Sequence, residues 1–175
     1  QTNSISFVTQ GYSLLMGQRK ELFKTLVSDE LINSNFDIQI IGKQDERSMT
    51  MLRNDVDEVR ASLIGYRPWT RLGEELSKSQ AAICINNPKY DEWRLMPNRV
   101  VESINAHSIP IFVNCDVARD LGPVYENLTI TGELTTTKLD SVIRYIQSNY
   151  VTVLFALENW LLEDENKLSI ELKQL

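Results

Sequence analysis

The chain has a single histidine, two cysteines and no long apolar run, and each scarcity excludes a class of protein. A multi-histidine metal site or a Ser-His-Asp triad could form only through His107, whose position between a predicted helix and a predicted strand is typical of a turn. Cys84 and Cys115 lie far apart without zinc-type spacing, which indicates two inert thiols in a reduced, cytoplasmic protein. No stretch approaches the roughly 18 apolar residues that span a bilayer, so no membrane partner is expected.

The chain also lacks an excess of basic residues. Its 175 residues include 18 Lys and Arg against 24 Asp and Glu, which gives a net charge of -6. Such a chain offers no overall electrostatic surface for nucleic acid, so any contact with DNA must be local or lie elsewhere. The length fits one domain with a short appendage. Because it begins with Gln1, the chain is expected to be processed or a piece of a longer one.

Short apolar runs alternate with helical patterns, which predicts an α/β fold, a Rossmann-like parallel sheet flanked by helices. Residues 1–150 are predicted to form this domain. Residues 151–175 are predicted to form a helical tail that docks on a partner domain, with an interruption at the acidic residues 163–165. Pro110 lacks a backbone donor and is expected at a sheet edge or at the first position of its strand. The predicted strands cover 4–8, 36–41, 61–64, 81–85, 109–113 and 128–130, and the predicted helices cover 17–32, 69–78, 99–105 and 136–148.

The loop after the first strand is the first candidate site. Ligands of open parallel sheets bind beyond the carboxyl ends of the strands. A glycine-bearing loop that enters a helix, here with Gly17, presents unpaired amides and the positive end of the helix dipole to an anion. Ser13 adds a hydroxyl, and Arg19 can make a two-pronged contact with a phosphate. A plain connecting loop is the alternative, because the glycines match no dinucleotide fingerprint.

Arg99 and Glu102 form the second candidate site. They are three positions apart and therefore share a face of the predicted helix. Arginine at a helix start is unfavourable for the dipole, which favours a ligand as its explanation. In this interpretation Arg99 meets a phosphate and Glu102 accepts hydrogen bonds from ribose hydroxyls. The alternative is a surface ion pair that contributes little.

A third candidate is the sharp exit from the predicted strand at 61–64. The main chain at Arg67, between Gly65 and Pro68, could pair with a flat base. Most turns of this kind only reverse the chain, and this alternative stays open.

These positions together resemble the carboxyl-terminal domain of the bacteriophage DNA β-glucosyltransferases and, more broadly, glycosyltransferases of the two-domain GT-B type. The similarity covers residues 5–113 and continues more weakly to 148. No single piece is specific, but the pieces occur in the family's order. The matching pieces are Ser13, Gly17-Gln18-Arg19, Ile40-Ile41-Gly42, Gly65, Pro68, Ser79-Gln80-Ala81, Tyr90, Arg99, Glu102 and Ala106.

The resemblance implies a nucleotide-sugar site. Its residues would be Ser13, Gly17 and Arg19 in the diphosphate loop, Arg99 on the other side of the diphosphate, Glu102 at the ribose, the backbone at Gly42 and Arg67 at the uracil, and Asn87 at the sugar. Two positions depart from the family pattern. Asn87 stands where the family has a sugar-contacting aspartate, and Leu15 stands where it has a second arginine. Glucose is therefore not assumed as the transferred sugar.

The implied activity is that of the donor-binding half of an inverting glycosyltransferase. Such an enzyme would transfer a sugar from a UDP-sugar to a hydroxyl of hydroxymethylcytosine in phage DNA, in the host cytoplasm. No cofactor is required, while Mg²⁺ or Mn²⁺ at the diphosphate stays an open alternative. In the family the catalytic base and the DNA surface lie mainly in the amino-terminal domain, so no catalytic residue is assigned here. A stand-alone, non-catalytic nucleotide-binding module and a protein-interaction domain are the alternatives.

Overall fold

The computed structural model describes residues 4–8, 37–41, 62–64, 69–85, 92 and 96–173. These residues form an α/β fold, as the alternating pattern predicts. Six strands are described: β1 Ser4–Val8, β2 Asp37–Ile41, β3 Ser62–Ile64, β4 Ala81–Ile85, β5 Ile109–Val113 and β6 Thr129–Ile130. The helices among the described elements are α1 Trp69–Leu76, α2 Asn98–Asn105, α3 Pro123–Leu128 and α4 Thr136–Lys173, with a short 3₁₀ turn at Arg119–Leu121.

The six strands form one sheet in the order β3-β2-β1-β4-β5-β6. Each neighbouring pair is parallel. The chain builds outward from β1 to β3 on one side and from β4 to β6 on the other. The strand order therefore reverses between β1 and β4, which are hydrogen-bonded neighbours with Ile5 opposite Ala81. This strand order is the one of doubly wound nucleotide-binding folds, which bind ligands at the reversal point.

The core explains why the strands β4 and β5 lack polar alternation. All five residues of β5 are buried, as are the first four of β4, because a parallel sheet is covered on both faces. The larger apolar cluster joins the sheet to α2, α3 and α4, with Phe112 among its fully buried side chains. A smaller cluster packs Leu72 and Leu76 of α1 against Ile41 and Ala82.

Buried serines connect β1 to the turn after α1. Ser4 Oγ donates to the carbonyl of Lys78 at 2.7 Å. Ser6 Oγ and Ser79 Oγ are hydrogen-bonded to each other in the interior. The alternating serines of β1 are therefore satisfied by partners in the protein, as most buried hydroxyls are.

Pro110 lies at the second position of β5, inside the strand order rather than at its outer end. The amide of Ile109 donates to Gln80 on the β4 side, and the amide of Asn114 donates to Ile130 of β6. Backbone groups alternate sides along a strand, so position 110 faces the β6 side. Because β6 pairs only with Phe112 and Val113, no strand needs a donor at Pro110. Pro110 therefore lies where, among the described strands, β5 has no neighbour on its outer side, which is a local sheet edge.

Helix α4 is the longest element, and its backbone is helical on both sides of a kink at Asn149, where φ is -128° and ψ is 16°. Beyond the kink, Val153, Leu157 and Trp160 are buried in the large cluster. The stripe formed by Val151, Phe155 and Leu162 is exposed. The predicted interruption at 163–165 is wrong, since the helix continues through these residues to Lys173. None of the described helices combines the length and apolar composition needed to cross a membrane.

Helix α3 has no counterpart in the sequence prediction, which had a strand from residue 128. Gly122, with φ of 59°, turns the chain, and Pro123 then occupies the first helical position. Proline fits there because the first amides of a helix have no partner within it. The strand that follows is consequently only Thr129–Ile130.

Candidate functional site

The carboxyl ends of β1 and β4 mark the region where a ligand is expected, because these strands flank the reversal of strand order. The segment that leaves β4 leads to α2, which carries Arg99 and Glu102. The segment that leaves β1 contains Ser13, Gly17 and Arg19. Since β1 and β4 are adjacent, both segments start side by side.

Helix α2 is held by one apolar face and begins without a side-chain cap. Pro97 precedes it in an extended conformation, and no acidic residue occupies its first turn. Val100, Ser103 and Ile104 are buried at helical spacing, and Ser103 Oγ donates to the carbonyl of Arg99 at 2.7 Å. This burial fixes the rotation of the helix and places Arg99 and Glu102 on the neighbouring face.

Arg99 and Glu102 form the ion pair that their spacing predicts. Arg99 Nη1 donates to Glu102 Oε2 at 2.6 Å, and the two side chains are only 22% and 17% exposed. A partly buried pair of this kind is screened less than a fully exposed one. The positive charge at the start of α2 is therefore compensated from within the same helix.

The second carboxylate oxygen of Glu102 is the unsatisfied atom of this site. Oε1 is buried and has no hydrogen-bond partner within the part of the chain that the structure describes. Burial raises the pKa of Glu102, and the neighbouring Arg99 guanidinium opposes that rise. A donor hydroxyl that reached Oε1 would stabilise the ionised carboxylate, which is the chemistry that a ribose can supply.

A groove of about 540 Å³ runs between α1 and α2. Thr70 and Gly73 of α1 line it together with Ser77 just after that helix, and Glu102 and Asn105 line it from α2. A side chain added at Gly73 would meet no atom within 4 Å, so the groove is open at that point. Glu102 thus faces a space large enough for part of a small ligand.

The loops after β5 and β6 are joined at the same edge of the sheet. Asn114, with φ of 48°, accepts from the Gly132 amide at 2.7 Å through Oδ1 and donates to the Gly132 carbonyl at 3.0 Å through Nδ2. Lys138 Nζ donates to the carbonyls of Thr131 and Glu133, at 2.9 Å each. The sequence did not predict this Asn114–Gly132 clamp, because its two residues are 18 positions apart and no motif marks them.

Tyr125 of α3 contacts the residues that follow β5. Its hydroxyl lies 2.6 Å from the Cys115 carbonyl and 3.0 Å from Asp116 Oδ1. Asp116 also accepts from Arg119 at 2.7 Å. The sequence signal for the helix that carries Tyr125 is Gly122-Pro123 at the start of α3.

The two thiols and the histidine behave as the sequence indicates. Cys84 and Cys115 are free and buried, and burial raises the pKa of Cys84 to about 12. A thiol of this kind stays protonated and unreactive. His107 lies just beyond the C-cap of α2 with φ of 57°, and its Nε2 lies 3.5 Å from Glu158 Oε1. It occupies the left-handed turn position that glycine often takes at helix ends.

Most of the predicted ligand residues lie outside the described part of the chain. The structure brings Arg99 and Glu102 together. The other predicted site residues, Ser13, Gly17, Arg19, Gly42, Arg67 and Asn87, fall outside the residues that it describes. Within the described ranges, no group of three or more His, Cys, Asp or Glu side chains is arranged to hold a metal ion.

With this geometry established, comparison with known proteins identifies the fold. No family model and no curated protein sequence matches the chain. Several solved structures do match, at low sequence identity. The chain has the Rossmann-like α/β fold found in one half of GT-B glycosyltransferases.

A mutant of the T4 phage protein BGT in complex with UDP-glucose aligns with a TM-score of 0.69 and 14% identity, over 95% of this chain and 45% of its own. The catalytic domain of the cholesterol-α-glucosyltransferase from Helicobacter pylori aligns with a TM-score of 0.58 and 16% identity, over 94% of this chain and 98% of its own. An E. coli trehalose-6-phosphate protein bound with UDP-2-fluoro glucose aligns with a TM-score of 0.60 and 10% identity, over 99% of this chain and 44% of its own. The chain therefore spans less than half of the T4 phage protein.

Proposed function

We propose that this chain is the UDP-sugar-binding half of a glycosyltransferase. The donor's diphosphate would lie between the loop with Ser13, Gly17 and Arg19 and the start of α2. Arg99 would supply positive charge from the α2 side, and Glu102 would accept the ribose hydroxyls. The base and sugar would meet Gly42, Arg67 and Asn87.

The observation that carries the proposal is the partly buried Arg99–Glu102 pair on α2, the helix that follows β4, one of the two strands at the reversal of strand order. Glu102 lines a groove, and its buried Oε1 has no hydrogen-bond partner among the described residues, which is costly unless a ligand satisfies it. The proximity of the β1 and β4 exits supports a site shared by the two segments. The T4 phage and E. coli structures of this fold hold a UDP-sugar.

Calorimetric titration with UDP and UDP-glucose tests the proposal. We expect binding, and we expect Arg99→Ala and Glu102→Ala each to weaken it by about 1.5–3 kcal/mol, the scale of hydrogen bonds to charged groups. Arg144→Ala is the matched control, because Arg144 makes an exposed ion pair with Asp140 on α4. Absence of heat with either nucleotide, from protein with an intact fold, would contradict the proposal.

The reaction we propose is inverting transfer of the sugar to a hydroxyl group, with hydroxymethylcytosine in DNA as the acceptor. A carboxylate would take the proton of the acceptor hydroxyl, and cationic groups would stabilise the leaving diphosphate. Mass spectrometry of hydroxymethylated DNA, after incubation with the native protein and UDP-glucose, would detect the added hexose. A native protein that binds UDP-glucose but modifies no acceptor would instead be a non-catalytic binding module.

We further propose that residues 1–150 form the donor domain and that residues 151–175 contact a second domain. The exposed stripe of Val151, Phe155 and Leu162 supports this arrangement, since large exposed apolar patches often mark interfaces. The native reading frame tests it, because that frame must encode a further domain. A frame that encodes only this chain would contradict it.

A further inference from the structure

We propose that Arg99 is a positioning residue that makes the site selective for ribose over 2′-deoxyribose by holding the carboxylate of Glu102. This inference rests on the proposed function and deepens it. Its content is that Arg99 acts through Glu102, in addition to any direct contact with a phosphate.

The geometry of the pair is the first support. Arg99 Nη1 donates to Glu102 Oε2 at 2.6 Å, whereas Oε1 has no hydrogen-bond partner among the described residues. The carboxylate is thereby fixed in one orientation with one acceptor oxygen unused. A vicinal diol can donate to that oxygen, whereas a sugar lacking the 2′-hydroxyl has one donor fewer.

The fixed backbone around Arg99 is the second support. Ser103 Oγ holds the Arg99 carbonyl at 2.7 Å, and Val100 and Ile104 on either side are buried. The backbone that carries both partners is therefore fixed by packing. Preorganisation of this kind reduces what a ligand must spend on ordering the acceptor.

The charge state of Glu102 is the third support. Burial raises its pKa and Arg99 opposes that rise. Without Arg99 a larger fraction of Glu102 is protonated at a given pH, and a protonated carboxyl accepts hydrogen bonds less well. Arg99 thus acts on both the direction and the charge of the acceptor.

The test compares UDP with 2′-deoxy-UDP by calorimetric titration. For the wild-type chain we expect about a tenfold or greater preference for UDP, the scale of one hydrogen bond to a charged group. In Arg99→Met the preference should fall to about twofold or less, and in Glu102→Gln it should fall similarly. In the double variant, Arg99→Met should cause no further loss of preference, because residues that act as one unit are not additive.

Three controls separate the outcomes. Arg99→Lys keeps the charge and should retain part of the preference, which also covers the case in which Arg99→Met does not fold. Arg144→Met removes an exposed arginine from a remote ion pair and should leave the preference unchanged. Lowering the pH protonates Glu102 and should remove the preference. In Arg99→Met this loss should occur at a higher pH than in the wild type, because the rise in the Glu102 pKa caused by burial is no longer opposed.

Each result has a distinct meaning. If Arg99→Met weakens UDP and 2′-deoxy-UDP by the same factor and leaves the preference intact, Arg99 is only a phosphate contact and the inference is overturned. If the wild-type chain binds neither nucleotide, the proposed function itself fails. If it binds both equally, Glu102 does not read the ribose, and both the ribose assignment and the inference fail.

Discussion

A partly buried carboxyl group beside one arginine responds to pH in a direction set by the larger of two opposing effects. For Glu102 burial is the larger, so its pKa lies above the ordinary value of 4.5. The folded chain then holds the proton more tightly than the unfolded chain does. Stability from this group is therefore greatest at low pH and falls as pH rises from 4.5 through the raised pKa.

Glu102→Gln isolates this effect. Urea unfolding across that pH range should show the wild-type chain losing stability relative to the Gln variant as pH rises, with a constant difference above the raised pKa. Other carboxyl groups cancel in the comparison. A wild type that gained on the variant with rising pH would show that the Arg99 attraction exceeds the burial penalty.

The hydroxyl of Tyr125 offers a second prediction at the level of one residue. Tyr125→Phe removes the donor to the buried Cys115 carbonyl and should lower the free energy of unfolding by about 1–3 kcal/mol. Denaturant unfolding measures this change. Tyr150→Phe is the comparison, because its hydroxyl donates to His107 in an exposed setting and its removal should cost less. Equal losses would show that burial of the bond is not what matters.

Sequence reasoning reached part of the site and stopped where contacts became non-local. The spacing of Arg99 and Glu102 predicts that they share a helix face, because helical geometry alone determines it. The unpartnered oxygen of Glu102 depends on everything packed around it. The Asn114–Gly132 clamp depends on two strands meeting, and no local pattern encodes such a meeting.

Among the elements, the second part of α4 has two faces with different expected energetics. Leu157 is fully buried in the core, so Leu157→Ala should cost about 2–5 kcal/mol of stability. Phe155 is 64% exposed, and Phe155→Ala should change stability by about 0.5 kcal/mol or less. Thermal unfolding of both variants compares them. Similar losses from the two would mean that the Phe155 face is covered in solution.

The elements that the sequence predicts well are those with an unbroken apolar run between polar neighbours. The predicted strands 81–85 and 109–113 match β4 and β5 residue for residue, because both strands are buried on both faces. Helix α3 was missed because six residues carry little periodicity. The acidic run at 163–165 did not end α4, since glutamate is a good helix former.

For the whole molecule, the distribution of charge predicts how the chain treats nucleic acid. With a net charge of -6, it should not retard hydroxymethylated duplex DNA in a gel at physiological salt. The acceptor contacts would then belong to another domain. Retardation by the chain alone, lost at high salt, would instead place a basic acceptor surface within it.

Pro110 has a consequence for assembly that goes beyond its place in β5. Transient loss of the two-residue β6 would uncover the outer side of β5, and bare strand margins recruit strands from other molecules. At position 110 an incoming strand would find a carbonyl but no amide hydrogen, so intermolecular pairing could not extend along the whole strand. The proline would therefore limit how far a partly opened sheet could pair with strands of other molecules.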